Sequence, residues 1–597
     1  MKIKYTSIFL FLVIVSGTAQ VYDDHFGAGN TIGIQVSSSD NQSIDTSTYS
    51  ISGTQLKPDL VGASRFLAQA TLGASYEDME YVRTVGIDKW LVEQFNLPSH
   101  SYAARYDQIY DEIQQIISND FHADDYMSYV FYDHLIHHPD VLRQKVAFAL
   151  SQIFVISPYG TSLSSKNQSN LIYYDFLYEG AFSNYKDMLS NVTMSITMGD
   201  YLSHFQNQKA DIIQKTYPDE NYAREIMQLF SIGLHQLELD GTPVKNIDGN
   251  NIPTYDIDNI AEMAKIFTGL GAAQKNDGTP NDDFNRDWSI NRKIPMKMFD
   301  YYHAKGEKNI LPGVTIPAGQ DGMADIQQTL DVLFNHQNVA PFLSTRLIQH
   351  LVKSNPSPAY VKRVAMVFNN NGSGERGDLK AVITAILLDP EARNCDWIDN
   401  PTNGKLIQPI ERFTTLFKAF DLTTPSGKIW FRDENELLDE IGQSFLAAPS
   451  VFNFFSPFYA EDKFVAPLDL VSPEFQILNS VTAIAYINEM EDAIRKKPFE
   501  NRTAPNSTGQ WLIGNDNDQP VLNFSDELAL YNSEGIDALL DRLDLILCRG
   551  QLSDATKTII ANSIQQNIDN VNGYNSQDVL HDALYYIMMS PNYVIQK

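Results

Sequence analysis

A mostly α-helical fold is what this 597-residue chain predicts, and three features predict it. Apolar residues recur at three- and four-residue spacing through most of the sequence after position 58. The successive runs are bounded by Gly, Pro or Asn, and strand-like alternation is scarce. With 43% hydrophobic and 11% aromatic residues the chain can bury a large core. The expectation is a large helical-repeat-like or bundle architecture with long irregular insertions and few short strands.

The chain opens Met-Lys-Ile-Lys, runs through apolar Ile8 to Val15, and reaches the small residues Gly17, Thr18 and Ala19. This is the pattern of a secretory signal peptide over 1–19, with cleavage expected after Ala19. The apolar run is short of the ~20 residues a spanning helix needs. No integral membrane segment is expected once the leader is removed, and the destination is the periplasm or the cell exterior. Positions 20–57 are rich in Ser, Thr, Asp, Gln and Gly, too few apolar groups to offset backbone ordering, so they read as a flexible arm.

The folded part is expected over 58–597. Helical runs fall at 64–73, where Gly73 suits a stop, and at 139–155, 342–352, 359–368, 379–388 and 578–589. Segments 240–255, 271–320 and 498–523 are rich in turn residues and read as long excursions, and two lobes joined near 290–320 are one arrangement they allow. The stretch from His138-Pro139 to Ser157-Pro158 resembles that from His336-Gln337 to Asn355-Pro356 at equal spacing, a faint sign of duplication.

Charge narrows the partners. Lys and Arg number 44 against 74 Asp and Glu, a net −30 that becomes −32 when Lys2 and Lys4 leave with the leader. Such a balance excludes nucleic acid as a general partner and disfavours anionic lipid. Cys395 and Cys548 are the two cysteines, and sequence does not fix whether they pair.

Several motifs are distinctive as an ordered set. They are Arg65-Phe66-Leu67-Ala68-Gln69-Ala70-Thr71-Leu72-Gly73, then Asn221-Tyr222-Ala223-Arg224-Glu225-Ile226-Met227-Gln228-Leu229-Phe230-Ser231-Ile232-Gly233, and Asp258-Asn259-Ile260-Ala261-Glu262-Met263-Ala264-Lys265-Ile266-Phe267-Thr268-Gly269. His303 with Lys308, Leu311-Pro312-Gly313 and Gly377-Asp378-Leu379-Lys380-Ala381-Val382 come later in the chain. With these the chain resembles the exported bacterial family of unknown function DUF1800 from about Ser64 to its end. The resemblance implies a helical exported protein without an agreed activity, and a sulfatase-like exported protein as a partner. In one stretch the chain departs from it. Leu150, Ser151, Gln152 and Ile153 stand where many members carry Trp-His-Asn-His, after the shared Arg143-x-Lys145 element.

The 221–233 helix is the leading candidate for chemistry. Asn221, Arg224, Glu225 and Gln228 lie at i, i+3, i+4 and i+7 and form a polar stripe among apolar residues. Burial of that stripe is expected, with Asp256, Asp258 or Glu262 as partners for Arg224. Its catalytic reading makes Glu225 a general base and Arg224 a holder of anionic groups, with Asn221 and His303 nearby. Its packing reading makes it a buried ion network. Asp256 and Asp258 suit a helix cap, with Asn259-x-x-Glu262 as a capping box, and calcium is their alternative ligand. His134 and His138 share zinc spacing but lack the Glu of a His-Glu-x-x-His site. The aromatic run 451–459 is either a core plug or the wall of a cleft for a sugar or peptide. No Gly-x-Ser-x-Gly elbow, phosphate loop or dinucleotide fingerprint occurs. Two functions therefore stand: an exported binding or partner protein, and an exported hydrolase or lyase using Glu225 and Arg224 on a polar or anionic substrate.

Overall fold

The computed structural model describes residues 59–116, 126–159, 161–394, 400, 402–431, 440–496 and 518–597. The expected leader and cleavage site, the expected arm over 20–57, Cys395 and most of the 498–523 excursion lie outside the described residues. Among those described, 23 α-helices accompany six strands, of which the longest, Lys308–Leu311, has four residues. The mostly α expectation holds.

The centre of the body is the Val141–Ser151 helix, buried on every face from Leu142 onward. It packs against Leu60–Ala70, Asn167–Gly180 and Val339–Leu351. Asn167–Gly180 in turn supplies Asp175, whose carboxylate accepts from the Tyr102 and Ala103 amides (2.7 and 3.1 Å). A buried carboxylate thereby satisfies orphan donors at the start of the Tyr102–Ile116 helix. Leu60–Ala70 ends before Gly73, whose role is a close approach: at φ +136° a Cβ there would stand 2.7 Å from the Thr415 backbone. One continuous apolar cluster runs from Ala63 to Tyr593, and a smaller one gathers Val155, Ala448, Phe454 and Phe455.

The excursions carry the strands. Leu270–Gly271 pairs with Lys297–Met298, and Lys308–Leu311 with Val314–Ile316. Segment 240–255 doubles back through the Lys245 to Asn251 bridge. Strands of two to four residues are too short to display alternation, so the sequence reads there as turns.

The Val339–Leu351 helix is held at both ends. At its start, Asn338 donates to the Ile232 and His235 carbonyls (both 2.7 Å) and accepts from the Leu237 amide, tying the helix to the segment after Asn221–Gln228. At its end, the last strand, Ile595–Gln596, pairs with Lys405–Leu406. That pairing brings Gln596 to the Leu351 and Val352 carbonyls (3.0 and 3.1 Å) and Lys405 Nζ to the His350 carbonyl (2.6 Å). Free carbonyls at a helix C-terminus carry partial negative charge, which a cation stabilises. No described helix is long and apolar enough to cross a membrane.

Candidate functional site

The predicted stripe divides when folded. The Asn221–Gln228 helix buries Tyr222, Ala223, Glu225, Ile226 and Met227, as its apolar composition requires. Asn221 is exposed at its first turn. Arg224 turns outward and pairs with Glu220 at 3.4 Å, both side chains 40% exposed, so it does not use Asp256, Asp258 or Glu262. Glu225 points inward, 8% exposed, with Oε2 unpartnered. Burial pushes its carboxyl up to about 7, with Arg224 opposing. The Tyr255 hydroxyl is also buried without a partner, and burial and then the Glu225 charge hold it above its ordinary range.

The other predicted residues go elsewhere. Asp256 caps the Ile257–Ile266 helix, and its reciprocal partner is Asn259 (3.0 and 3.1 Å), while Glu262 pairs with Lys265 at 2.5 Å. The capping box therefore sits three residues before the one the sequence suggested. Asp258 faces solvent in the first turn. Among the described residues no three His, Cys, Asp or Glu side chains converge as a metal site. His303 is wholly buried, with Nδ1 at 2.9 Å from the Thr268 carbonyl and Nε2 at 2.9 Å from Asp325. Lys308 Nζ reaches the same Asp325 oxygen at 2.5 Å, and Gln320 donates to the other at 2.8 Å. His134 and His138 stack at 4.2 Å, with His134 also stacked on Tyr102 at 4.0 Å.

A pocket of about 40 Å³ opens instead between Val339–Leu351, the end of Val141–Ser151 and the aromatic run. Phe342, Arg346, Gln349 and His350 fall at i, i+4, i+7 and i+8 and so share the helix face that lines it. Gln152 and Ile153 enter from the turn after Val141–Ser151. Phe452, Phe455 and Phe458 form the opposite wall, and Glu474 closes the floor from the short Pro473–Ile477 helix. Asn453 holds the run in place at φ 66°, a left-handed conformation Asn tolerates, and donates to Gln152 Oε1 at 3.1 Å. Phe452 and Phe458, 38% and 54% exposed, stand where the pocket meets solvent.

Arg346 dominates the electrostatics. It is 9% exposed, donates to Gln349 Oε1 at 2.6 Å, and lies 4.4 Å over the Phe458 ring and 5.4 Å from that of Phe342. Among the described residues no carboxylate lies within ion-pair distance of it, Nε has no partner, and burial alone pulls its guanidinium down to about 10. His350 Nδ1, Gln152 Nε2 and Glu474 Oε2 are likewise buried and unpartnered. Burial, then Lys405, Arg346 and Lys145, hold the His350 imidazole well below its usual range. Behind the floor, Lys405 lies 3.4 Å from Glu474 Oε1, and Lys145 is ion-paired with Glu411. Three buried cations thus face two buried carboxylates, and Arg346 is the cation in this network without one.

The sequence singled out the aromatic run, as plug or wall, and Gln152 only as a departure from the family pattern; Arg346, His350 and Glu474 were not singled out. The similarity of the two stretches is the one signal the sequence carried, since Gln152 follows His138 by the same interval as His350 follows His336, and Gln152 and His350 both line the pocket. A helical body with a buried cationic pocket and no recognised catalytic motif defines a class by fold alone. The family model described as a protein of unknown function (DUF1800) matches residues 65–595, and the chain belongs to that family. No curated protein and no solved structure matches it.

Proposed function

We propose that the protein is an exported binding protein whose Arg346 pocket captures an anionic group of its ligand. The observation that carries this reading is Arg346 itself: a guanidinium 9% exposed, unpaired at Nε and without a carboxylate among the described residues, facing a cavity. Burying a charge with no counter-ion costs several kcal/mol, and an incoming anion offsets that cost. Export rests on the leader pattern. The test is the melting temperature of the mature protein with millimolar acetate, benzoate or phosphate. At least one anion raises it in wild type and none does in Arg346→Met. Identical melting in every anion overturns the reading.

An exported companion, for which the family resemblance suggests a sulfatase-like fold, belongs to the same proposal. Ile212, Ile213 and Tyr217, 87%, 89% and 76% exposed, form an apolar tip of the kind partners cover. Co-purification from the native envelope, lost in Ile212→Ser with Ile213→Ser, checks it. The hydrolase or lyase alternative keeps one favourable observation, the unpartnered Glu225 Oε2. Glu225→Gln that abolishes turnover of an anionic substrate without lowering the melting temperature decides for it.

A further inference from the structure

We infer that the group held in the pocket is a hydroxycarboxylate, supplied by a uronic acid residue of an acidic polysaccharide, an inference that rests on the anion-binding reading above. Three of the four unpartnered atoms specify the complement, since the fourth, His350 Nδ1, donates or accepts according to its tautomer. Arg346 Nε and Gln152 Nε2 are donors and require acceptors, whereas Glu474 Oε2 requires a donor. A ligand that satisfies them presents an anion and a hydrogen-bond donor side by side. Sulfate brings acceptors alone and leaves Glu474 facing a second negative charge.

Amino acids also combine the two groups, but their donor is an ammonium. That cation would enter beside Arg346 and Lys405, with Lys145 behind them, the cations whose charge disfavours protonation of His350. A hydroxyl donates without adding charge. The walls contribute the third feature. Phe452 and Phe458, both partly exposed in the lining, offer aromatic surface to an apolar face, which a pyranose presents through its C–H groups. The cavity, about 40 Å³, takes the carboxylate and its neighbour, and the rest of the sugar lies between the two partly exposed phenylalanines at the mouth.

Calorimetric titration of the mature protein tests this with galacturonic acid, short oligogalacturonides, their methyl esters, lactate, phenylalanine and acetate. Uronates are expected to bind best. Methyl esterification and Arg346→Met each weaken them by at least about tenfold. Glu474→Gln weakens uronates by about tenfold and leaves acetate within about twofold. If Glu474→Gln no longer melts cooperatively, Phe452→Ala at the partly exposed mouth, which makes no stacking contact with Arg346, takes its place, with oligogalacturonides weakened about fivefold and acetate within about twofold. Lactate binding as tightly as the uronates overturns the polysaccharide. Phenylalanine or acetate binding more tightly than any hydroxycarboxylate overturns the inference but leaves the anion site standing. If no anion binds, both fail.

Discussion

Both Asp325 oxygens, both His303 ring nitrogens and the Lys308 ammonium have partners, while around Arg346 four buried polar atoms have none. Both clusters mix cations with carboxylates. In the first, the acid sits between His303, Lys308 and Gln320, and nothing is left for a ligand to satisfy. In the second, the floor is paired through Lys405 and Glu474 while the layer above it is not. Full pairing marks a structural cluster, and unpaired groups beside a cavity mark a binding site. Removing a charge from each cluster should separate them most widely. Asp325→Ala leaves Lys308 buried without a counter-ion and is expected to cost about 3–5 kcal/mol in urea unfolding. Arg346→Met replaces an uncompensated charge with an apolar chain of similar length and is expected to change stability by less than about 1 kcal/mol, or to raise it. Equal losses in the two variants would make Arg346 a structural ion as well.

Acid separates the clusters next. Burial holds His350 and His134 well below the ordinary histidine value and places His204 at about 4. In the unfolded chain each titrates near 6.5, so below that pH the unfolded state binds more protons than the native state, and stability falls as pH drops. Each buried histidine adds a slope of up to about 1.4 kcal/mol per pH unit below 6.5. Asp325 behaves differently. Burial opposes its ionisation, but Lys308, His303 and Gln320 prevail and hold its carboxyl below 3.8. Its contribution is present above 3.8 and is lost only in stronger acid. Melting temperatures from pH 8 to 3 should therefore begin to fall near 6.5, well before Asp325 titrates. A curve flat down to pH 4 would show that these histidines accept protons in place.

Legibility in the sequence divides along the same line. Long amphipathic helices such as Pro358–Asn369 were legible because their period repeats over three turns. The two-residue strands were not, since pairing such as that of Lys405–Leu406 with Ile595–Gln596 joins positions far apart in the chain. The aromatic run read as a core plug or a cleft wall, and it is partly each: Phe454 and Phe455 pack in the smaller apolar cluster while Phe452 and Phe458 line the pocket. Arg346 was hidden for a physical reason: on paper it is one more cation in an amphipathic helix, and only the fold withholds a counter-ion from it. Glu225 and Arg224 read as one stripe because adjacent residues on a helix lie about 100° apart. Which edge turns inward depends on neighbours the sequence does not order.

Those two neighbours give the smaller effects, and they set a buried group against an exposed one within a single helix. Glu225, buried with Oε2 open, has a carboxyl raised from 4.5 to about 7. Its ionisation is disfavoured in the native state, so the stability it affects is present below 4.5 and lost as pH rises through 7. Glu225→Gln removes that loss and should raise stability at pH 8 by on the order of 1 kcal/mol, with no gain at pH 4. Arg224, one residue earlier, belongs to the surface. Its pair with Glu220 is 3.4 Å long and 40% exposed on both sides, a geometry that water screens and side-chain entropy opposes. Arg224→Ala is expected to change stability by less than about 0.5 kcal/mol, with the residual effect weakening in high salt. A larger loss, unaffected by salt, would mean that Arg224 reaches Glu225 in solution and that the stripe acts as one buried unit after all.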